Sequence, residues 1–278
     1  MTLLAFTALI ALGSFVAGTV GALTGLGGGV IVVPLLTLAL GVDIRYAVGA
    51  SLVSVIATSS GAAAAYLRDG YVNLRVGLFL EIATTLGALA GGALGVWLSP
   101  DRVAVIFGIV LAVSAVLSLR APARVAASAS DRLAVLLRLG GRLPPVAGGD
   151  AYAVRGVPGG FALMFGAGVA SSLLGIGSGA IKVLALDRVM GLPFKVSTTT
   201  SNFMIGVTAA AGAGVYLNRG YIDPALAMPV MLGVLAGSFL GARLLAQAPV
   251  ARLRLVFAIV LWLLAAQMIY NGLTDHHV

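Results

Sequence analysis

The stretch "GLGGGVIVVP", Gly25–Pro34, places three consecutive glycines and then a proline inside an apolar region. Glycine and proline are the two poorest helix formers. The stretch "GIGSGAIKVL", Gly175–Leu184, repeats the interruption 150 residues later. On both sides the chain reads as membrane helix. Of 278 residues, 60% are hydrophobic and 9% charged, with a mean hydropathy of +1.10. Soluble domains carry roughly 25% charged residues. A chain of this length cannot hide so much apolar surface in a core of its own, so lipid must cover it.

Apolar runs lie at 3–22, 30–41, 46–67, 76–98 and 103–119, then at 157–174, 180–190, 196–217, 225–245 and 252–271. A straight spanning helix needs about 20 residues. Segments 30–41 and 180–190 are therefore expected to be the second parts of broken helices. The run 3–22 lacks a basic leader and reads as a retained segment, not a cleaved signal. Three regions follow: a first membrane repeat (1–119), a basic linker (120–156) and a second membrane repeat (157–278). In the linker, "DRLAVLLRL" (Asp131–Leu139) reads as a short amphipathic helix on the membrane surface with Asp131 as its N-cap, or else as part of a disordered basic tether.

A shift of 150 residues superposes Gly25, Gly27 and Gly29 on Gly175, Gly177 and Gly179, Ser51 on Ser201, and Thr58 on Thr208. It also superposes "YLRDGY" (Tyr66–Tyr71) on "YLNRGY" (Tyr216–Tyr221). Each half holds five segments, an odd number, so the second half should enter the membrane from the opposite side. With the linker in the cytoplasm, Arg68, Arg75, Arg188, Lys195, Arg243, Arg252 and Arg254 join its six arginines on the inside, and Arg45, Arg102 and Arg219 lie outside. The positive-inside rule favours this arrangement, with both termini outward. The fold class is all-α: a polytopic membrane bundle of two inverted-topology repeats, each with a glycine-broken helix pair and three spanning helices.

A helix restarting at membrane depth presents unpaired N–H groups and a positive dipole end, which favour an anion. Glycine lets a ligand approach those groups. Gly27, Gly28, Gly29, Gly177, Ser178 and Gly179 are therefore candidate substrate ligands. The competing reading is close helix packing, which fits the four-residue spacing of Gly87, Gly91 and Gly95 and of Gly233, Gly237 and Gly241. Lys182 follows the second cluster. A lysine in an apolar segment is costly and opposes the helix dipole unless an anion sits nearby; alternatively it snorkels to an interface. Ser51, Thr200, Ser201 and Asn202 supply donors suited to an oxyanion, as do the neighbouring Ser54, Ser197, Thr198 and Thr199. Each of these hydroxyls could equally bond within its own helix. Glu81 and Asp187 are candidates for a coupling proton. The plainer readings are that Glu81 reaches the interface or pairs with Arg75, and that Asp187 pairs with Arg188 or caps a helix.

The motifs "GALTGLGGGVIVVPLL" (Gly21–Leu36), "AVGASL" (Ala47–Leu52), "LLGIGSG" and "TTTSNF" resemble the TauE/SafE sulfite exporter family, also called TSUP transporters, over nearly the whole chain outside the linker. The resemblance implies export of small sulfur-containing anions, such as sulfite, sulfoacetate and other organosulfonates, across a bacterial inner membrane. Gly27, Gly28 and Gly29 match the family's glycine motif, and Gly177, Ser178 and Gly179 its counterpart, with Ser178 in place of a frequent glycine. An anion channel, or a carrier of another small organic anion such as a carboxylate, is the alternative.

An enzyme is not expected. There is no cysteine, and both histidines, His276 and His277, stand at the C-terminus. That leaves no thiol relay, no intramembrane serine–histidine pair and no metal site. No cofactor is expected. The net charge of +8 lies in short loops, so the expected partners are the bilayer and a small anion and not nucleic acid. Glycine-striped faces leave homodimerisation open.

Overall fold

The computed structural model describes residues 3–24, 28–68, 70–119, 131–145, 148–245 and 250–274. Gly27, most of the linker's first third (120–130) and both histidines lie outside the described residues. The first half runs α1 (Leu3–Thr24), α2 (Gly29–Pro34), α3 (Ile44–Arg68), α4 (Leu74–Trp97) and α5 (Pro100–Leu119). A short α6 (Arg132–Leu136) and a two-stranded antiparallel ribbon, β1 (Gly141–Arg142) and β2 (Ala151–Tyr152), follow. The second half runs α7 (Val157–Leu174), α8 (Gly179–Leu184), α9 (Phe194–Asn218), α10 (Pro224–Leu245) and α11 (Val250–Leu273).

The expected short segments are short helices that widen into π turns, α2 into Leu35–Ala39 and α8 into Ala185–Val189. Both helices begin one residue earlier than the apolar runs, on Gly29 and Gly179. From α2 to α5, each helix starts 150 residues before its counterpart in α8 to α11, and so does each π turn. Pro34 ends α2, yet Leu184 takes its place in the second copy, so the proline is not required for the widening. Local chemistry sets the other boundaries. Asn73 caps α4 by accepting a hydrogen bond from the Val76 N–H at 3.1 Å. Pro100 and Pro224 open α5 and α10, where the missing N–H costs nothing.

The two halves interleave. The first helix of each packs on the fourth helix of the other: α1 on α10 and α7 on α4. The third helices, α3 and α9, pair across the molecule, as do α5 and α11. Small residues allow the close crossings. A Cβ on Gly87 or Gly91 would collide with the carbonyl oxygens of Phe165 and Val169 on α7. One on Gly233 or Gly237 would collide with those of Ala11 and Phe15 on α1. The packing reading of these stripes holds, and the glycine faces on which homodimerisation rested are used inside the chain.

Among the described residues, three helices are long and apolar enough to cross a membrane: Leu74–Trp97, Val157–Leu174 and the Pro224–Gly241 part of α10. Leu78, Ile82, Leu86 and Leu89 line the exposed side of α4, as a lipid-facing surface requires.

The described part of the linker is folded against the bundle and is not a disordered tether. Ala134, Leu139 and Val154 are buried with Val76, Leu80, Val157, Met164 and Leu186. Asn73 donates from Nδ2 to Leu139 O at 2.9 Å and to the Tyr152 hydroxyl at 3.0 Å, joining the linker to the α3–α4 turn. Burial raises the Tyr152 phenol above its ordinary value, and the Asn73 bond lowers it. Asp131 does not cap α6 with its side chain. Its carboxylate accepts instead from Val157 N at 3.4 Å, at the start of α7. A capping side chain serves whichever N–H groups are nearest, and here the next helix in the fold is closer than the next in sequence.

Candidate functional site

The two breaks differ in backbone conformation at the residue that precedes the restarting helix, Gly28 in one and Ser178 in the other. In the second, Gly175, Gly177 and Ser178 take φ values of 69°, 64° and 47°. Three left-handed residues in four reverse the chain between α7 and α8. Glycine adopts this region freely; a serine there is strained. In the first break, Gly28 has φ −65°, an ordinary right-handed value.

The breaks touch. Ser51 Oγ donates to Gly175 O at 2.7 Å. Gly29 sits so close that a Cβ on it would stand 2.5 Å from Gly175 O and 2.7 Å from Ser51 Oγ. A Cβ on Gly177 or Gly179 would reach Ile205 of α9 at 3.2 and 3.1 Å. Ser201 Oγ donates to Gly179 O at 3.3 Å. The structure thus brings Gly29, Ser51, Gly175, Gly177, Ser178, Gly179 and Ser201 together. Gly28 faces the other way: its Cβ would meet Val234 Cγ1 at 2.7 Å and Gly18 Cα at 3.3 Å, so close packing with α10 and α1 accounts for it.

Ser178 combines two costs. Besides its strained backbone, its hydroxyl is buried without a hydrogen-bond partner. Ser171 and Ser172, at the end of α7, also carry buried unpartnered hydroxyls. Native proteins rarely leave such groups unsatisfied, and each exception asks for a reason. A small polar ligand is one.

Lys182 does not snorkel. It is fully buried, and its Nζ donates to Thr208 Oγ1 at 2.6 Å. Thr208 Oγ1 in turn donates to Glu81 Oε1 at 2.8 Å, with Met204 O as a second acceptor at 3.0 Å. Glu81 is buried, and its Oε2 has no partner. The plainer readings of Glu81 therefore fail: it neither reaches the interface nor pairs with Arg75, whose Nη1 donates to Arg138 O at 3.3 Å. The carboxylate is held by the charge across the bundle, since an isolated ion at this depth is costly and a charged partner offsets that cost. The 150-residue step puts Val32 and Thr58 where Lys182 and Thr208 stand, and the matched packing glycines of α4 and α10 put Ala227 where Glu81 stands. Thr58 bonds to Ser54 O in its own helix. The two opposite charges joined by a hydroxyl thus have no counterpart at these positions of the other half. Asp187 is buried in the π turn beside Arg188.

Other hydroxyls are occupied locally. Ser54 donates to Ser51 O, Thr198 to Phe194 O, Thr199 to Lys195 O, and Ser197 to Leu192 O. Thr200 Oγ1 accepts the backbone N–H of Asn73 at 3.0 Å, which pins the α3–α4 turn. Asn202 is half-buried, one residue beyond Ser201.

Residues 10–268 match the family described as sulfite exporter TauE/SafE. The chain belongs to that family. It is 29% identical to the "Probable membrane transporter protein YunE" of Bacillus subtilis (strain 168), over 97% of this chain and 99% of that one. It is 27% identical to the "Probable membrane transporter protein YdhB" of the same organism, over 84% and 89%. A "Probable membrane transporter protein" of Xylella fastidiosa (strain 9a5c) is 26% identical over 98% of both chains. No solved structure matches. This TauE/SafE chain is accordingly a multi-pass membrane transporter and not an enzyme.

Sequence reasoning did not single out Thr208. The sequence aligns it with Thr58 of the other half, and only the opposed charges on α8 and α4 set it apart.

Proposed function

We propose that this TauE/SafE protein is a secondary transporter that exports small sulfur-containing anions, such as sulfite or organosulfonates, and holds them where the two helix breaks meet. The carrying observation is the completely buried ammonium of Lys182, one turn beyond the glycine break. In the empty bundle the ammonium is compensated by Glu81 through Thr208, and an anion bound at the break would share that cation. The start of α8 and the unpartnered Ser178 hydroxyl supply further donors; Ser51 and Ser201, which donate to Gly175 O and Gly179 O in the empty bundle, and the neighbouring Asn202 would turn to join them.

In this reading the halves are inverted in the membrane. The linker and Lys195 face the cytoplasm, and Arg45 and both termini face outward. Interleaved packing of each first helix on the other half's fourth helix supports a pseudo-two-fold relation of this kind. The test is thermal unfolding of purified protein with sulfite, sulfate, sulfoacetate, taurine, isethionate and acetate. A ligand of the folded state raises its melting temperature with concentration. Stabilisation by sulfite or the sulfonates over acetate supports the proposal; stabilisation by acetate alone favours a carboxylate carrier, and ohmic single-channel currents a channel.

A further inference from the structure

We infer that Glu81, facing Lys182 through the Thr208 hydroxyl, is a proton-binding group that couples anion movement to proton movement. The inference rests on the anion-binding reading of Lys182.

The charges give the reason. Lys182 and Glu81 are buried together, and their opposite signs compensate. Lys182 is the charged group that faces Glu81. Helix α7, packed along α4, carries no ionisable side chain from Val157 to Leu174. The basic residue of α9, Lys195, lies over the Tyr71 ring, and Arg75 of α4 itself is engaged with Arg138 O. An anion arriving at Lys182 uses the compensating charge that now serves Glu81. The carboxylate would then be a second anion in a dry interior, which is strongly unfavourable. Taking up one proton restores neutrality. Glu81 Oε2, buried, with no donor in hydrogen-bonding geometry and the Thr84 and Thr85 hydroxyls nearby, is the oxygen open to that proton. Thr208 is the hinge of the exchange. Its hydroxyl donates to ionised Glu81, and once Glu81 is protonated it can turn to Met204 O, 3.0 Å away. One monovalent anion and one proton then occupy the carrier together, and both leave together. No bond other than that to the proton forms or breaks. Such co-transport is electroneutral and reversible, so its direction follows the sum of the two gradients: export proceeds while the outward anion gradient exceeds the opposing proton gradient, and an acid exterior without an anion gradient drives the anion inward.

The probes are methanesulfonate and isethionate, which stay ionised throughout the working range, so any proton that moves belongs to the protein. Proteoliposomes holding the full chain, with the membrane potential clamped at zero, should accumulate either anion about tenfold when the exterior is one pH unit more acidic. An internal pH dye should report one proton per anion. In detergent, affinity for the same anion should fall as pH rises past the titration of Glu81. Glu81→Gln, which mimics the protonated group, should bind with an affinity that no longer changes with pH. Anion flux without proton movement in the wild-type protein overturns the coupling and leaves the anion reading intact. Should Glu81→Gln titrate as the wild type does, Glu81 is not the proton site. If neither sulfonate nor sulfite moves or binds, the anion reading fails and the coupling with it. The wild-type proton count decides the matter even where the variant does not fold.

Discussion

The Lys195 ammonium of α9 stands 3.9 Å from the centre of the Tyr71 ring, which follows α3. The same relation recurs 150 residues away, with the halves exchanged. The Arg45 guanidinium of α3 stands 5.6 Å from the centre of the Tyr221 ring, which follows α9. Each third helix thus begins with a cation and is followed by a tyrosine, and each cation meets the other half's tyrosine. The second copy carries more. Arg45 Nη2 donates to Leu98 O at 2.8 Å, Tyr221 Oη accepts from Nη1 at 3.5 Å, and Tyr46 meets the Tyr221 ring edge-on at 5.4 Å.

The two cations should therefore differ in weight. Lys195→Ala removes one exposed cation–ring contact and should destabilise by about 0.5–1 kcal/mol. Arg45→Ala also removes a charged hydrogen bond worth roughly 1.5–3 kcal/mol and should lower the melting temperature several times as much. Unfolding in detergent, followed by helical circular dichroism, compares them. Equal losses would mean that the Leu98 and Tyr46 contacts contribute nothing.

Inverted halves also fix which loops share a side. Single cysteines at Asp150, in the exposed hairpin turn, and at Asn218, at the exposed end of α9, should react with an impermeant maleimide from opposite sides of sealed vesicles. Labelling from the same side would remove the inversion, and with it the reading of the breaks as meeting near mid-bilayer.

Ser178 allows the ligand role to be separated from fold. Ser178→Gly relieves a left-handed serine, a strain of about 1–3 kcal/mol, and removes an unpartnered hydroxyl. The melting temperature without ligand should rise. Anion affinity should fall about tenfold or more if the hydroxyl donates to the charged ligand. Higher stability with unchanged affinity, read by calorimetry, would leave Ser178 without a part in binding.

How much of this could be read from the chain varies by the range of the interaction. The second break was legible because the left-handed backbone at Gly175 and Gly177 calls for glycine, and the packing stripes because four-residue spacing places them on one helix face. The repeat was legible because its starts hold the same 150-residue step. Three features were not. Gly28 has the composition of a ligand site, yet its space is filled by Val234 from the tenth helix, which no local pattern announces. Glu81 and Thr208 lie 127 residues apart, and only tertiary packing brings the carboxylate to Lys182. Asp131 has the right residue type and position for a cap, but a neighbouring helix start takes its bond.

Lys182 carries the last prediction, because its stability and binding effects now have separate causes. The sequence taken alone leads one to expect that Lys182→Ala would leave stability level or raise it, since a cation opposing a helix dipole is lost. The structure reverses that sign, because removing the ammonium leaves Glu81 as an uncompensated buried charge. Breaking one side of such a pair typically costs about 3–5 kcal/mol. Lys182→Gln and Glu81→Gln should each lower the melting temperature, while the double variant should recover most of the loss, with a coupling energy well above 0.5 kcal/mol. Anion affinity should not recover with it. Loss of a desolvated charge contact costs about 2–5 kcal/mol, roughly thirtyfold or more in affinity, in both Lys182→Gln and the double variant. Lys182→Arg keeps the charge but changes reach and shape, and should retain part of the binding. The measurements are melting temperature without ligand and anion affinity by calorimetry across the wild type and the four variants. Full affinity in the stable double variant would confine Lys182 to holding the bundle together and leave backbone and hydroxyl donors as the anion's only ligands.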